Sequence, residues 1–173
     1  MSDAIKEEIT KQLGVEPVMI DSADFSAQIR KRYYWTNIPI DMNFPKSKLV
    51  IQDILYDHKF NVRDFSKYKD TVKWNEDETV CRYDSSGKGY YSQASRCRKP
   101  TVKSNTLTAS GNDKNNIWLS DYKCRVLHPI EAERLQTLPD NYTSCLSSKV
   151  KRSEVCGNGW TVDVIAYILS HLD

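Results

Sequence analysis

The sequence predicts a mixed α/β fold in which a few strands and a terminal helix flank a small, irregular, mostly β region. Amphipathic helical patterns near both ends of the chain are the first indication. The second is the character of residues 40–124, where apolar runs shorten and clusters of Asp, Asn, Ser, Lys and Gly signal turns. A chain of 173 residues amounts to one domain or to a large piece of a bigger enzyme.

The N-terminal part predicts one helix and two strands. Apolar residues spaced four apart predict a helix over residues 3–13. Residues 17–21 (PVMID) have the composition of a brief buried strand. Aromatic and β-branched residues over 32–38 predict a second strand, which is expected to end at Pro39 because proline cannot donate to a sheet.

Helical signals return after residue 125. Pro129 suits a first helical position, and the glutamates that follow it favour the helix dipole. Pro139 is expected to close this helix. The last segment predicts a helix with Thr161 as its N-cap. Its apolar face consists of Val164, Ile165, Ile168, Leu169 and Leu172. A further helix is expected near 48–57.

The charge of the chain is unevenly distributed. The formal net charge is +2, but residues 1–24 carry −4 and the remainder therefore carries +6. A basic body favours a polyanion partner such as a nucleic acid. A solvated surface of mixed charge is the alternative that charge alone leaves open.

The cysteines and histidines argue against several classes of protein. Five cysteines form no C-x-x-C pair and leave one over, which argues against a zinc site and against a secreted disulfide framework. Reduced thiols and an intracellular location are expected. The three histidines are scattered, so we expect no metal. No signal peptide and no long apolar run is present in this sequence, so no membrane span is expected.

Three blocks, in a fixed order, carry a resemblance to a known family. They are residues 28–35 (QIRKRYYW), 125–142 (RVLHPIEAERLQTLPDNY) and 157–162 (GNGWTV). Together they resemble the last third of a DNA cytosine-5 methyltransferase, and the context of the first block is similar to the mammalian de novo enzymes. The resemblance implies the C-terminal part of an S-adenosylmethionine-dependent methyltransferase fold, with S-adenosylmethionine as cofactor and double-stranded DNA as partner.

The resemblance also implies a division of the chain into three segments. Residues 1–39 would belong to the catalytic domain, and 40–124 would form the target-recognition region. Residues 125–173 would supply a helix that supports that region and then return to the catalytic domain.

The first block implies a pocket for the target base. Arg30 and Arg32 are two residues apart, so on a strand both point to one face of the sheet. Cytosine methylation requires an extruded base and donors at its carbonyl oxygen, which a guanidinium supplies while staying protonated. The resemblance makes Arg32 the contact to the flipped cytosine and Arg30 a support of the same pocket. Two arginines on an edge strand, without function, are the alternative.

The target-recognition region and the third block imply further contacts. Residues 106–109 (TLTA), with Gly111 after them, make Thr106 a phosphate contact beside the extruded nucleotide. The basic residues expected to contact DNA with it are Arg96, Arg98, Lys99 and Lys103. A plain polar hairpin is the alternative. Asn158, Gly159 and Trp160 are expected to close the S-adenosylmethionine pocket, and a loop with a packed tryptophan is the alternative there.

The second block implies a structural role, in which Glu131, Arg134 and Gln136 make buried polar ties without taking part in the chemistry.

No cysteine follows a proline, so none matches the Pro-Cys nucleophile of the family. We therefore expect this chain to be inactive by itself and to work with a second polypeptide that carries the missing motifs. The chain could be one subunit of a split enzyme, a truncated gene product or a fragment of a longer enzyme, and the sequence is consistent with all three. The rival hypothesis is a non-catalytic DNA-binding or regulatory protein related to these enzymes.

Overall fold

A computed structural model of the chain describes residues 1–109 and 115–172, which form a mixed α/β structure. The helices are Asp3–Leu13 (α1), Pro129–Leu135 (α2), Lys149–Asn158 (α3) and Val162–Leu169 (α4). The strands are Pro17–Asp21 (β1), Lys31–Trp35 (β2), Arg63–Asp64 (β3), Lys73–Trp74 (β4), Val80–Arg82 (β5), Arg96–Arg98 (β6), Asn116–Ser120 (β7) and Lys123–Val126 (β8). Short 3-10 helices occupy Ser22–Asp24, Ile51–Ile54, Ser66–Thr71 and Gln93–Ser95.

The N-terminal elements follow the sequence prediction closely. Helix α1 ends at Gly14, which has a left-handed backbone (φ 68°) that glycine adopts without steric cost. Strands β1 and β2 then form an antiparallel pair in which Ile20 faces Arg32. The prediction that β2 continues to Pro39 is wrong. The Thr36 hydroxyl accepts the Ile38 N–H at 3.0 Å, and this local turn replaces the pairing of an extended strand.

The middle of the chain forms a six-stranded sheet of short strands in the order β3-β8-β7-β6-β5-β4. Strands β6 and β7 are parallel, and the other neighbours are antiparallel. One face is closed by a cluster of Phe65, Cys81, Tyr83, Cys97 and Cys124. The expectation of a mostly β region is confirmed, whereas the helix expected near 48–57 is the single 3-10 turn Ile51–Ile54.

A second apolar cluster joins α2 and α3 to segments that precede them in the chain. Its buried residues are Ala27, Ile51, Ile54, Leu107, Ile117, Leu127, Ala132, Leu135 and Cys156. Helix α2 begins at Pro129 as predicted, but it ends at Leu135 rather than at Pro139. The last turn closes early because Thr137 takes a positive φ of 55°, which breaks the helical path.

Helix α4 packs on the β1–β2 pair. Val164 and Ile168 are buried with Ile20 and Phe25. Leu169 and Leu172, which the sequence placed on the same apolar face, remain more than half exposed. Thr161 stands at the N-cap position as predicted, but its hydroxyl bonds to Ser22 and Gln136 and caps no amide of α4. Within the described ranges, no helix is long and apolar enough to cross a bilayer.

Candidate functional site

Gln28 joins the three sequence blocks at one buried point. Its side-chain Nε2 donates to Leu135 O at 2.7 Å, to Gln136 Oε1 at 2.9 Å and to Thr161 Oγ1 at 3.4 Å. The residue is fully buried, and its Oε1 accepts the Leu107 N–H at 3.4 Å. A buried amide is stable only when its donors and acceptor are paired, so this residue fixes the relative positions of the blocks.

Arg30 makes a second junction beside Gln28. Its guanidinium donates to Leu107 O at 2.9 Å, to Gly157 O at 3.1 Å and to Gly159 O at 2.8 Å. The residue is 4% exposed. Burial, and next the charge of Arg32, lower the pKa of Arg30 below its usual value. Carbonyl oxygens therefore solvate a cation that would otherwise be costly to bury.

Arg32 has the opposite environment. It is exposed, and its guanidinium donates to Lys31 O, in the neighbouring residue, at 2.9 Å. The prediction that both arginines lie on one strand is wrong, because β2 begins at Lys31 and Arg30 precedes it. Arg30 is thus a positioning residue in this structure, while the guanidinium of Arg32 is open to a ligand. Contact between Arg32 and a base remains a prediction.

The segment around Thr106 runs beside the first block. Ser104 N–H donates to Ala27 O at 2.7 Å, and Ile29 N–H donates to Ser104 O at 3.0 Å. The Thr106 hydroxyl donates to Ile29 O at 2.6 Å. A contact from this hydroxyl to a phosphate, as predicted, requires it to rotate away from that carbonyl. Gly111, which the sequence placed after this segment, lies outside the described residues.

A cavity of about 270 Å³ opens next to Thr106. Its lining residues are Ile29, Gln93, Arg96, Arg98, Asn105, Thr106 and Thr108. Arg96 and Arg98 donate to Asn105 Oδ1 at 3.2 Å and 2.8 Å. The structure thus brings two of the predicted DNA-binding arginines together with Thr106.

The two predicted lysines lie elsewhere. Lys99 Nζ stands 4.9 Å from the centre of the Trp74 ring. Lys103 Nζ donates to Ser26 O, Ser47 O and Leu49 O at 2.9–3.0 Å. An ammonium group has three N–H donors, so Lys103 has none left for a phosphate. Its assignment to DNA binding is therefore corrected to a structural tie.

The third block lies at the end of α3. Gly157 packs so closely on the segment at Thr108 that an added Cβ would stand 2.3 Å from backbone atoms. Gly159 O accepts from both Arg30 and Gln136. The side chains of Asn158 and Trp160 are exposed, the latter by 67%. An amide and an open aromatic face fit one wall of a site for a nucleoside-bearing cofactor.

Glu131 and Gln136 of the second block make the buried polar ties that the sequence predicted, whereas Arg134 is only partly buried. Glu131 is buried and holds Arg125 through two hydrogen bonds of 2.6 and 2.7 Å. Gln136 is buried between Gln28 and Thr161. Arg134 lies nearer the surface, where it pairs with Asp140 at 2.6 Å.

Glu133 makes a set of buried hydrogen bonds that the sequence did not predict. The residue is fully buried and accepts from the Asn141 N–H, from Thr143 and from Arg152 NH2. Burial by itself raises the pKa of this carboxyl, but the bonds from Thr143 and Arg152 outweigh it, and the pKa lies below its usual value. In the sequence Glu133 indicated only a favourable charge in the first turns of a helix.

Histidine and cysteine side chains form no metal cluster within residues 1–109 and 115–172. Of the five cysteines, Cys145 is exposed and the others are buried as free thiols.

Comparison with known proteins gives the family. The family model of C-5 cytosine-specific DNA methylases matches residues 7–173. The chain is 26% identical over 166 residues to DNA (cytosine-5)-methyltransferase DRM2 of Oryza sativa subsp. japonica, covering 91% of this chain and 27% of the rice protein.

Solved structures agree on the fold. The methyltransferase EhMeth of Entamoeba histolytica superposes with a TM-score of 0.63 at 15% identity, over 95% of this chain and 56% of that protein. The Dnmt2 methyltransferase of S. pombe superposes with a TM-score of 0.58 at 15% identity, over 98% and 61% respectively. The chain thus spans about a quarter of the rice relative and little more than half of the two solved structures. With its blocks joined at Gln28 and Arg30 as described, the chain belongs to the C-5 cytosine-specific DNA methylase family.

Proposed function

We propose that this chain is the C-terminal portion of a DNA cytosine-5 methyltransferase. It would provide recognition of the target DNA, the arginine that contacts the extruded base, and part of the S-adenosylmethionine pocket. The observation that carries this proposal is the junction at Gln28 and Arg30, which holds β2, the segment at Leu107 and the end of α3 in one rigid unit.

The chemistry explains why rigidity matters there. Carbon 5 of cytosine is a poor nucleophile, so a thiolate must first add to carbon 6 while charge develops on the ring carbonyl. A guanidinium offers planar donors to that oxygen and stays protonated. Arg32 is suited to this role because Arg30, two residues earlier, is locked by three carbonyl groups, whereas Arg32 is exposed and, among the described residues, its guanidinium donates only to Lys31 O.

DNA binding is supported by charge and by the cavity beside Thr106. Arg96, Arg98 and Thr106 all line that cavity. Cations and hydroxyl groups around a small open cavity are suited to phosphate oxygens, which set the register of a protein on a duplex. The charge of +6 outside residues 1–24 supports the same assignment.

S-adenosylmethionine, the cofactor that family and fold imply, would supply the methyl group. Asn158 and Trp160 are the residues that would hold it, since both are exposed at the end of α3. Gly159 would let the backbone approach the cofactor closely, and its carbonyl is held in place by the hydrogen bond from Arg30. We propose that these residues bind and orient the cofactor and take no part in proton transfer.

The catalytic nucleophile is the part that this sequence does not provide, since no cysteine follows a proline. We therefore propose that a second polypeptide segment, with the Pro-Cys nucleophile and the glycine-rich cofactor loop, completes the active site. The competing hypothesis is a regulatory or DNA-binding protein that completes no active site. It predicts DNA binding, or binding to an intact methyltransferase, without any methylation.

Methylation assays test the proposal directly. Purified chain, duplex DNA and S-adenosylmethionine labelled on its methyl group should yield no labelled DNA, because the nucleophile is missing. Adding a polypeptide that carries the missing motifs should restore incorporation. Labelled DNA from the chain alone would contradict the proposal, and DNA binding without methylation in any combination would favour the regulatory hypothesis.

The role of Arg32 has its own test in the restored assembly. Arg32→Ala should lower kcat by about 100-fold or more, the usual effect of removing one donor to a developing oxyanion. Lys31→Ala, at the adjacent exposed position of β2, is the matched control and should retain most of the activity. Full activity of Arg32→Ala would show that this guanidinium does not contact the base.

A further inference from the structure

A row of cations crosses one face of the six-stranded sheet. In the register of β4, β5 and β6, Lys73 lies directly opposite Arg82, and Arg82 lies directly opposite Arg96. Directly opposed residues of an antiparallel pair project from the same face, so the three charges are neighbours. Arg98, two residues after Arg96 on β6, extends the row on that face. We call these four residues the cation row.

The cation row lacks the negative charge that would stabilise it. Among the residues that the structure describes, no carboxylate forms an ion pair with any of its members. The charge of Asp77 raises the pKa of Arg98, but the two side chains form no ion pair. Like charges directly opposite each other destabilise a sheet. Burial first, and then the neighbouring arginines, lower the pKa of Arg96 and of Arg98.

One donor of the row is also unsatisfied. Arg96 Nε is buried, and within the described part of the chain it has no hydrogen-bond partner. Its NH1 group is held by Asn105 Oδ1 at 3.2 Å, which fixes the orientation of the guanidinium. A buried donor without a partner costs free energy unless a ligand accepts from it. Charge and geometry therefore both favour the binding of an anion beside Arg96.

The space for that anion is a groove of about 490 Å³. The whole cation row lines it, together with Trp74, Asn75, Val80 and Tyr91. Lys73 Nζ stands 4.8 Å from the centre of the Tyr91 ring, so an aromatic face borders the cations. The groove exceeds the needs of a lone phosphate and offers both charge and a stacking surface, as sites for nucleotides do.

The groove adjoins the cavity beside Thr106. Arg96 and Arg98 line both, so the two spaces share one wall. A polynucleotide strand with one phosphate near Thr106 can place a neighbouring nucleotide in the groove without leaving a positively charged surface. A DNA strand that passes from the cavity to the groove therefore stays in contact with Arg96 and Arg98.

We propose that the groove is a second subsite for DNA, which binds the phosphodiester of a nucleotide flanking the target through the cation row and packs its sugar or base on Tyr91. This inference rests on the proposed function, because it extends the path of the same DNA. It adds Lys73, Arg82 and Tyr91 to the residues that contact the substrate.

Salt-dependent binding tests the subsite. Affinity for a fluorescently labelled duplex is measured by anisotropy over a series of salt concentrations. Each phosphate contact contributes about 0.9 to the slope of log K against log salt. Arg82→Gln should reduce the slope by about one contact. Lys11→Gln, on α1, removes one exposed charge elsewhere and should leave the slope unchanged. Equal slopes for Arg82→Gln and the unaltered chain would overturn the proposal.

Thermal unfolding separates loss of binding from loss of fold. Arg82 is exposed and faces other cations, so Arg82→Gln should unfold at the same temperature as the unaltered chain or at a higher one. Weaker DNA binding at unchanged or raised Tm is the expected pair of results. A lowered Tm with unchanged salt slope would mean that the cation row is structural, and the proposal would fail.

NMR spectroscopy of the Arg96 Nε–H group gives a second test of the subsite. The Arg96 Nε–H resonance, assigned by its loss in Arg96→Lys, should shift when a short DNA duplex is titrated into the chain. Inorganic phosphate is the probe for a simple anion site. A shift with phosphate and none with DNA would overturn the assignment to DNA. DNA binding without that shift would place the duplex elsewhere and leave the proposed function intact, whereas no DNA binding at all would refute the proposed function.

Discussion

His128 occupies a crowded position at the start of α2. Its Nδ1 accepts the Ile130 N–H at 3.3 Å, and its ring centre lies 4.3 Å from that of His58. Burial lowers the pKa of His128 to about 4, and the charges of His58 and Lys149 act in the same direction. The imidazole is therefore neutral at neutral pH, as an accepting Nδ1 requires.

Stability should therefore fall as the pH drops from about 6.5 to about 4. In that window the unfolded chain binds a proton on this imidazole and the folded chain does not, so the folded state loses free energy relative to the unfolded state. His128→Asn keeps a good N-cap acceptor and removes the titrating group. Urea unfolding across this range should give a shallower pH dependence for the variant. Parallel curves for the two proteins would contradict the assignment.

In the first block the sequence singled out Arg30 and Arg32, but it gave no role to Gln28 and did not show which arginine is buried. The R-x-R spacing indicates two cations, and nothing local says which one is buried. That choice depends on the carbonyls of Leu107 and Gly159, which lie 77 and 129 residues away along the chain. Lys103 was misassigned for the same reason. Its charge is visible in the sequence, and the three carbonyls that consume it come from other segments.

Among the elements, α3 is the one that hydrophobic periodicity could not reveal. Its buried residues are Ser153, Cys156 and Gly157, none of which is a large apolar side chain. The helix buries a small, flat face on the segment at Thr108, and glycine permits this close approach. The sequence predicted no helix over residues 149–158, and for the third block it offered a loop with a packed tryptophan only as the alternative to a cofactor site.

Gly157→Ala tests this contact between elements. Alanine normally stabilises a helix relative to glycine by about 1 kcal/mol. Here the added Cβ would stand 2.3 Å from Thr108 C and O, which are backbone atoms that cannot turn aside. We expect the variant to be destabilised by about 1–3 kcal/mol in chemical unfolding, as overpacked cores are.

Gly159→Ala serves as its control. An added Cβ there would stand 3.2 Å from Val155 O, a much milder contact, and the φ of −71° suits any residue. Its cost in free energy should be clearly smaller than that of Gly157→Ala. A neutral or stabilising Gly157→Ala would refute the close packing of α3 on this segment.

For the whole molecule, the notable surface is the apolar stripe of α1. The helix contributes no buried residue, and Ile5 and Leu13 are 54% and 58% exposed. Strands β1 and β2, helices α1 and α4 and the mostly β character of residues 40–124 were predictable because their patterns are local. The exposure of the apolar stripe of α1 was not predictable, since hydrophobic periodicity indicates an apolar face but not what packs against it.

The isolated chain should therefore self-associate through α1. The double variant Ile5→Glu/Leu13→Glu should sediment as a smaller species than the unaltered chain at the same concentration. Its Tm should change little, because the two side chains make no buried contacts. Val150→Glu, an exposed apolar position on α3, is the control and should leave the sedimentation unchanged. Identical sedimentation of the double variant would exclude α1 from association.

The junction at Gln28 has a consequence for the order of events during biosynthesis. Its hydrogen bonds close loops of 107, 108 and 133 residues, and the Thr161–Ser22 bond closes one of 139. Contacts this distant along the chain form late and slow the folding of a domain. Arg32 on β2 precedes Thr161 in synthesis, so the junction beside β2 can close only after Thr161 has been made. Premature termination before Thr161 would leave Ser22, Gln28 and Gln136 without the hydroxyl that joins them in the folded chain.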